Sequence, residues 1–357
     1  MTARHASGFQ ASGGRHDLHT LSGATTQAGD PARFPSTPKD PGARQYVDSM
    51  TVCTCGMSWR NQSLNWMLRR WVRPSSLGEQ DVATLRRQTQ RVPFRAKLPS
   101  GWRIRVEDRF PLKGDWIEPG ESNHAANARC ILYLHGGAYV AMSPRTHRCL
   151  TSRLATWSDA RLFALEYRLA PEYPFPAALE DAVAAYRALI AAGKPSSRIV
   201  VAGDSAGGGL ALALLLVLRD ATDPLPAAAV LFSPWTDLAA TGNSIVDNDA
   251  SDPLFHGSWV ARQARHYLGD TPATDPLASP VYAGLAGLPP LFIQVSDCEV
   301  LLDDSRRVAE NATRSGVDTT LRIWHGVCHG WQIFAPVLPE GRAALREAGA
   351  FIHAVLR

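Results

Sequence analysis

The sequence contains no run of about 18 uncharged apolar residues; Leu210–Leu218, the nearest approach, is far too short for a spanning helix, so an integral membrane protein is not expected. No apolar segment follows Arg4 and His5, so nothing near the start reads as a secretory signal. Cysteine is sparse. Cys53, Cys55, Cys130, Cys149, Cys298 and Cys328 form neither a disulfide framework nor a C-x-x-C metal set, and they read as reduced thiols of a cytoplasmic protein. Neither sign of charge dominates: 37 Lys and Arg against 33 Asp and Glu leave a formal +4, and nucleic acid is not expected as a partner. No internal repeat is apparent.

What is present is the composition of a globular protein, 45% hydrophobic and 20% charged. Residues 1–56 are rich in Gly, Ser, Thr, Ala, Pro and His and lack an apolar period, so they are expected to be a disordered extension. Met57 opens a segment of different character and is an alternative translation start. The basic excess sits just beyond it: residues 57–110 hold 12 Lys and Arg against 4 Asp and Glu. Leu64, Met67, Leu68, Trp71 and Val72 fall at helical spacing, which predicts a basic amphipathic helix ending near Pro74 that packs on its own domain. Tryptophan and arginine also suit an interface, so weak contact with a membrane surface is the alternative.

Beyond Arg103 the chain alternates strand-like and helix-like segments. Strands are expected at Cys130–Leu134, Leu162–Leu165, Ile199–Ala202, Ala229–Phe232, Leu291–Val295 and Thr319–Trp324. Helices are expected at 146–157, 176–192, 206–219, 303–315 and 340–356. This rhythm means an α/β fold, a mostly parallel sheet with helices on both faces. Residues 236–290 break it and read as an insertion which, with residues 57–95, is expected to form a cap on a domain spanning 57–357.

The strongest chemical signal is Gly203-Asp204-Ser205-Ala206-Gly207, a G-x-S-x-G between a β-branched strand and an apolar helix. That context suits a nucleophile elbow, in which glycines permit a sharp turn and the serine hydroxyl stands at the carboxyl end of the sheet. Asp204 reads as a brace for the turn. Upstream, strand Ile131–Leu134 runs into His135-Gly136-Gly137-Ala138, whose main-chain N–H groups, with that of Ala206, are candidates for an oxyanion hole. His135 reads as a loop brace.

With Tyr167-Arg168-Leu169-Ala170-Pro171-Glu172 and Ser233-Pro234-Trp235-Thr236-Asp237-Leu238 added, the sequence resembles the hormone-sensitive-lipase-like family of α/β-hydrolases, the bacterial type IV esterases with an H-G-G-[GA] loop and a G-D-S-A-G-G elbow. The resemblance runs from about Met57 to the C-terminus. It implies the α/β-hydrolase fold and a triad in the order Ser, acid, His. His329, in His325-Gly326-Val327-Cys328-His329-Gly330-Trp331, matches the family's histidine loop better than His325 does. The acid-x-Leu-x-Asp pattern aligns on Glu299-Val300-Leu301-Leu302-Asp303, where most members have Asp; Asp297 is the alternative acid. Asp303 and Asp304 read as structural carboxylates heading the next helix.

The implied function is a serine carboxylesterase that cleaves short- to medium-chain acyl esters through Ser205, His329 and Glu299, with Gly136, Gly137, Ala138 and Ala206 as oxyanion donors. No cofactor or metal is expected, and the partner is a small-molecule ester. Trp66, Trp71, Phe255 and Trp259 are candidate walls of the pocket. A lactone or small-lipid hydrolase on the same triad, and a non-catalytic ligand-binding receptor of the same fold, are the alternatives.

Overall fold

The computed structural model describes residues 50–53, 56–76, 81–90, 94–120, 123, 126 and 128–357. Side chains along the central strands alternate between two cores. In β4 (Cys130–Leu134), Cys130, Leu132 and Leu134 enter one core, while Ile131 and Tyr133 enter the other. The same alternation runs through β6 (Ile199–Asp204) and β7 (Ala228–Phe232). Strands buried on both faces need helices on both faces, and the sheet has them. Helices α3 (Pro144–Ser158) and α9 (Pro339–Val355) pack on one side; α4 (Ala177–Ala191), α5 (Ala206–Asp220) and α8 (Leu302–Arg314) pack on the other.

Among the described residues one nine-stranded sheet has the order β1-β9-β8-β7-β6-β4-β5-β3-β2, with β5 (Arg161–Leu165), β8 (Leu291–Ser296) and β9 (Thr319–Trp324) as the remaining inner strands. It is parallel from β1 to β5 and antiparallel at β3 (Leu112–Pro119) and β2 (Trp102–Arg109). Strand β1 (Met50–Cys53) pairs in parallel with β9, Met50 opposite Leu321 and Cys53 opposite Trp324. This corrects the disordered reading of residues 1–56 at its end, because an edge strand forms by main-chain pairing and needs no apolar period. Residues 1–49 lie outside the described residues.

Helix α1 (Trp59–Met67) continues as a π-helical turn, Leu68–Val72, and a 3₁₀ turn, Arg73–Ser76; α2 spans Val82–Thr89. Its packing differs from the expected stripe. Only Asn61, Leu64, Leu68 and Ser76 are buried, whereas Met67, Trp71 and Val72 are exposed. Trp66 and Trp71, expected as pocket walls, are exposed too, their rings edge-to-face at 5.2 Å. The inward face is held by polar contacts: Asn61 and Asn65 both donate their side-chain amides to the Gly326 carbonyl, at 2.9 and 2.8 Å. Beyond it, the arginines of this segment reach the 236–290 insertion, which carries α6 (Ser244–Asp247) and α7 (Gly257–Leu268). Arg69 donates to the Ser251 carbonyl and Arg73 to Asp249, while Arg262 donates to the Ser76 carbonyl.

Close approach of α5 to the sheet positions the turn before it. A Cβ on Gly207 would lie 2.1 Å from the Leu134 carbonyl oxygen, and one on Gly203 would lie 2.2 Å from that of Gly207. Both contacts are with backbone, which cannot swing away. Gly207→Ala is therefore expected to lower the melting temperature by about 10 °C or more, or to prevent folding. A calorimetric melt within about 2 °C of the parent would show that this packing yields.

Candidate active site

Parallel strands bring the sequence candidates to one edge of the sheet. β4 is followed directly by His135, β6 by Ser205 and β7 by Ser233, while β8 leads to the loop with Glu299 and β9 to the loop with His329. Ser205 itself has φ +53° and ψ −123°, a conformation that is costly for a side chain with a Cβ. Main-chain bonds hold it there. Its N–H donates to the Phe232 carbonyl at 2.8 Å, and its carbonyl accepts from Gly208, Gly209 and Trp235. Ala206 opens α5, where the first N–H groups lack intrahelical acceptors and carry the positive end of the helix dipole.

Beneath the turn, Asp204 is 4% exposed and accepts three hydrogen bonds: from the Tyr133 hydroxyl at 2.7 Å, the Gly136 N–H at 2.9 Å and His147 Nε2 at 3.2 Å. Burial alone would raise this carboxyl. The charge of His147 and these donors outweigh it, lowering the group to about 2. Gly136 is thereby corrected as an oxyanion donor, since its N–H is already spent on Asp204. Its lack of a side chain serves close approach, because a Cβ would meet Asp204 Oδ2 at 2.3 Å. Gly137, at φ +117°, Ala138, at φ +55°, and Ala206 remain as candidate donors.

His135 is stacked on Tyr167 at 4.3 Å, and burial, then the neighbouring His147, pushes its pKa down to about 3. It is a neutral brace rather than a base. His147 was not singled out in the sequence. Its only signal was a position on the helix after the loop, and burial on 0% exposed surface beside Asp204 defines its role.

Glu299 and His329 meet directly. His329 Nδ1 lies 2.6 Å from Glu299 Oε2, with side-chain exposures of 7% and 0%. The other oxygen, Oε1, accepts from the Ser233 hydroxyl at 2.7 Å and the Ser296 N–H at 2.9 Å. Burial opposes the charged imidazole, but the Glu299 carboxylate outweighs it, and the His329 pKa is raised. Asp297, the alternative acid, pairs instead with His325: Nδ1 is 2.6 Å from Oδ2, and the Gly326 N–H donates to Oδ1 at 2.8 Å. This second pair is solvent-facing, at 54% and 32% exposure.

Ser233 and Asp252 are further contributors that the sequence did not assign. Asp252, 0% exposed, accepts from the N–H groups of Leu254, Phe255 and Val300, tying the insertion to the residue after Glu299. Phe255 lies 5.2 Å from the His329 ring and stacks on Trp259 at 4.4 Å, so these two expected wall residues do stand beside the histidine. Asp303 and Asp304 stand in the first turn of α8, as expected, and also brace the insertion: Asp304 accepts from the Thr236 and Asp237 N–H groups, and Asp303 from that of Ser244. A cavity of about 540 Å³ is lined by His135, Phe110, Met142 and Arg168 among others, and none of Ser205, Glu299 and His329 lines it.

A family model described as the alpha/beta hydrolase fold matches residues 131–333. An esterase structure from the bacterial hormone-sensitive lipase family is 40% identical with a TM-score of 0.77, over 85% of this chain and 100% of that one. The chain belongs to the hormone-sensitive-lipase-like family of α/β-hydrolases. Among curated relatives, an acetyl-hydrolase of Streptomyces hygroscopicus is 49% identical over 67% of this chain and 79% of that protein. An esterase of Acinetobacter venetianus is 36% identical over 64% of this chain and 75% of its own length.

The two acid–histidine pairs make a discriminating test. Glu299→Gln keeps the shape of the hydrogen bond but favours the wrong imidazole tautomer, a change that costs about 10⁴ in kcat in the serine-protease case. Asp297→Asn touches an exposed pair and should keep ester hydrolysis within about tenfold of the parent. Steady-state kinetics on a p-nitrophenyl ester, with circular dichroism to check folding, would reveal the reverse ranking if Asp297 were the acid.

Proposed function

We propose that this chain, a carboxylic ester hydrolase by family, cleaves short- to medium-chain acyl esters through Ser205, His329 and Glu299. In the first step His329 takes the Ser205 proton as the serine oxygen attacks the ester carbonyl. The tetrahedral oxyanion is received by the N–H groups of Gly137, Ala138 and Ala206, and collapse expels the alcohol, protonated by His329. Water then attacks the acyl-enzyme with the same histidine as base, releasing the acid and restoring the serine.

The observation that supports this reading most is the buried 2.6 Å hydrogen bond between His329 and Glu299. It orients the imidazole and stabilises the cation that forms on proton transfer. A non-catalytic receptor would have no use for such a pair at the same edge of the sheet as a strained serine. Residues 57–95 and 236–290 form the cap in this reading, and the stacked Phe255 and Trp259 give the acyl group an apolar but confined wall. Free thiols at Cys130, Cys149, Cys298 and Cys328 suit a reducing compartment, the cytoplasm. Among the described residues no helix is long and apolar enough to cross a membrane.

Ser205→Ala should lose about 10⁴- to 10⁶-fold in kcat on p-nitrophenyl butyrate and retain its fold. More than a tenth of the parent rate would refute the nucleophile. The pH profile gives a second handle. The base must be neutral, and Glu299 favours the charged imidazole, so kcat/KM should rise through a midpoint above the ordinary histidine value of about 6.5. Removing the negative partner in Glu299→Gln should move that midpoint down; an unchanged midpoint would detach it from this pair.

A further inference from the structure

The α1 segment concentrates the exposed apolar surface of the described residues. Of the twelve large apolar side chains exposed among the described residues, six fall within residues 57–72: Met57, Trp59, Trp66, Met67, Trp71 and Val72. The three indoles are 71%, 60% and 62% exposed. Trp59 and Trp66 are seven residues apart, two helical turns, and so share a face, while Trp71 leans edge-on against Trp66. Single exposed apolar residues need no explanation, but a cluster of this kind marks an interaction surface.

Charge narrows the partner. Residues 57–78 contain Arg60, Arg69, Arg70 and Arg73 and no Asp or Glu. Arg73 pairs with Asp249 of the insertion, but Arg60, Arg69 and Arg70 are exposed among the tryptophans. A second copy of the chain fits badly. A two-fold contact would set this arginine-bearing face against itself with no carboxylate between. Residues 1–49, with five Lys and Arg and four Asp and Glu, offer no net negative charge to complement this face. An anionic phospholipid surface satisfies both halves of the face: indoles take the headgroup level, with ring buried and N–H in water, and guanidiniums meet phosphates.

We propose that the outward face of α1, centred on Trp59, Trp66, Trp71 and Arg70, docks this protein on an anionic lipid surface. The helix lies in the interface plane and does not span it. Its inward face is fixed to the carbonyl of Gly326, three residues before His329, so docking holds the histidine loop beside the membrane. The proposal does not depend on the esterase mechanism, and its test reads binding alone.

Sedimentation of the full chain with vesicles is the test, using phosphatidylcholine alone or phosphatidylcholine mixed equally with phosphatidylglycerol. The expected result is binding to the anionic vesicles with a blue shift of tryptophan emission, about tenfold weaker binding to the neutral ones, and loss of the difference in high salt. The double variant Trp59→Ser/Trp66→Ser should weaken anionic binding by about tenfold or more, and Arg70→Glu, which leaves the indoles in place, should weaken it independently. Circular dichroism checks that both remain folded. Absence of binding, equal binding to both vesicle types at low salt, or retention of binding by both variants would overturn the proposal. So would self-association in gel filtration that the tryptophan variant abolishes without any vesicle binding, which would assign the face to a second copy.

Discussion

The carboxylate of Asp204 joins the two loops on which the chemistry depends. One side of it carries the turn with Ser205, and the other receives the N–H of Gly136 and the ring of His147. Stripping water from a carboxylate is expensive unless charge and donors replace it. Here Tyr133, Gly136 and His147 do so, and the group stays charged despite burial. The consequence is geometric: with the Gly136 N–H turned inward, the chain reverses through positive φ at Gly137, Ala138 and Tyr139, and the loop turns back toward the elbow. The unfavourable backbone of Ser205, worth about 1–3 kcal/mol in such cases, persists because four main-chain hydrogen bonds over-determine it.

Burial also separates two acid–histidine pairs of equal length. Both hydrogen bonds are 2.6 Å. Opposite charges about 4 Å apart attract by about 1 kcal/mol in water and about 4 kcal/mol at the effective dielectric of about 20 that describes buried sites, so the enclosed pair steers its imidazole more strongly than the solvent-facing one. The exposed His325–Asp297 pair is of the kind that contributes about 0–1 kcal/mol. Glutamate at 299 has one more methylene to position than an aspartate would have. The surroundings fix it: Oε1 is taken by the Ser233 hydroxyl and the Ser296 N–H, and only Oε2 remains to meet His329.

Most of the central sheet was legible because each strand there is a short apolar run bounded by helix signals; expected and observed spans for β4, β7, β8 and β9 differ by one residue at most. The Ser205 turn was legible because its glycines and flanking elements are local. The β2–β3 hairpin was not, since Arg103, Arg105, Glu107 and Asp108 make β2 look like surface chain, and only its pairing with β3 makes it a strand. Strand β1 was missed for the same reason. His147 and the diverted Gly136 N–H escaped because both roles arise from Asp204, 57 and 68 residues away, and no local pattern encodes that meeting.

The direction in which α1 faces was the clearest failure of periodicity, and its cause carries the argument further. An apolar stripe predicts burial only where apolar contacts hold the helix. Here two asparagines, anchored on one carbonyl, take much of the inward face, with Leu64 and Leu68 supplying the apolar contact through a small cluster that includes Trp324, Val327 and Trp331. Trp59, Trp66 and Trp71 therefore add little to the packing of the fold, while their exposed surface would gain roughly 25 cal/mol for every Å² removed from water. Retaining three indoles beside arginines that meet no carboxylate among the described residues is not a requirement of folding. It is a stabilisation held in reserve for contact with another phase, on a surface helix tied directly to the histidine loop.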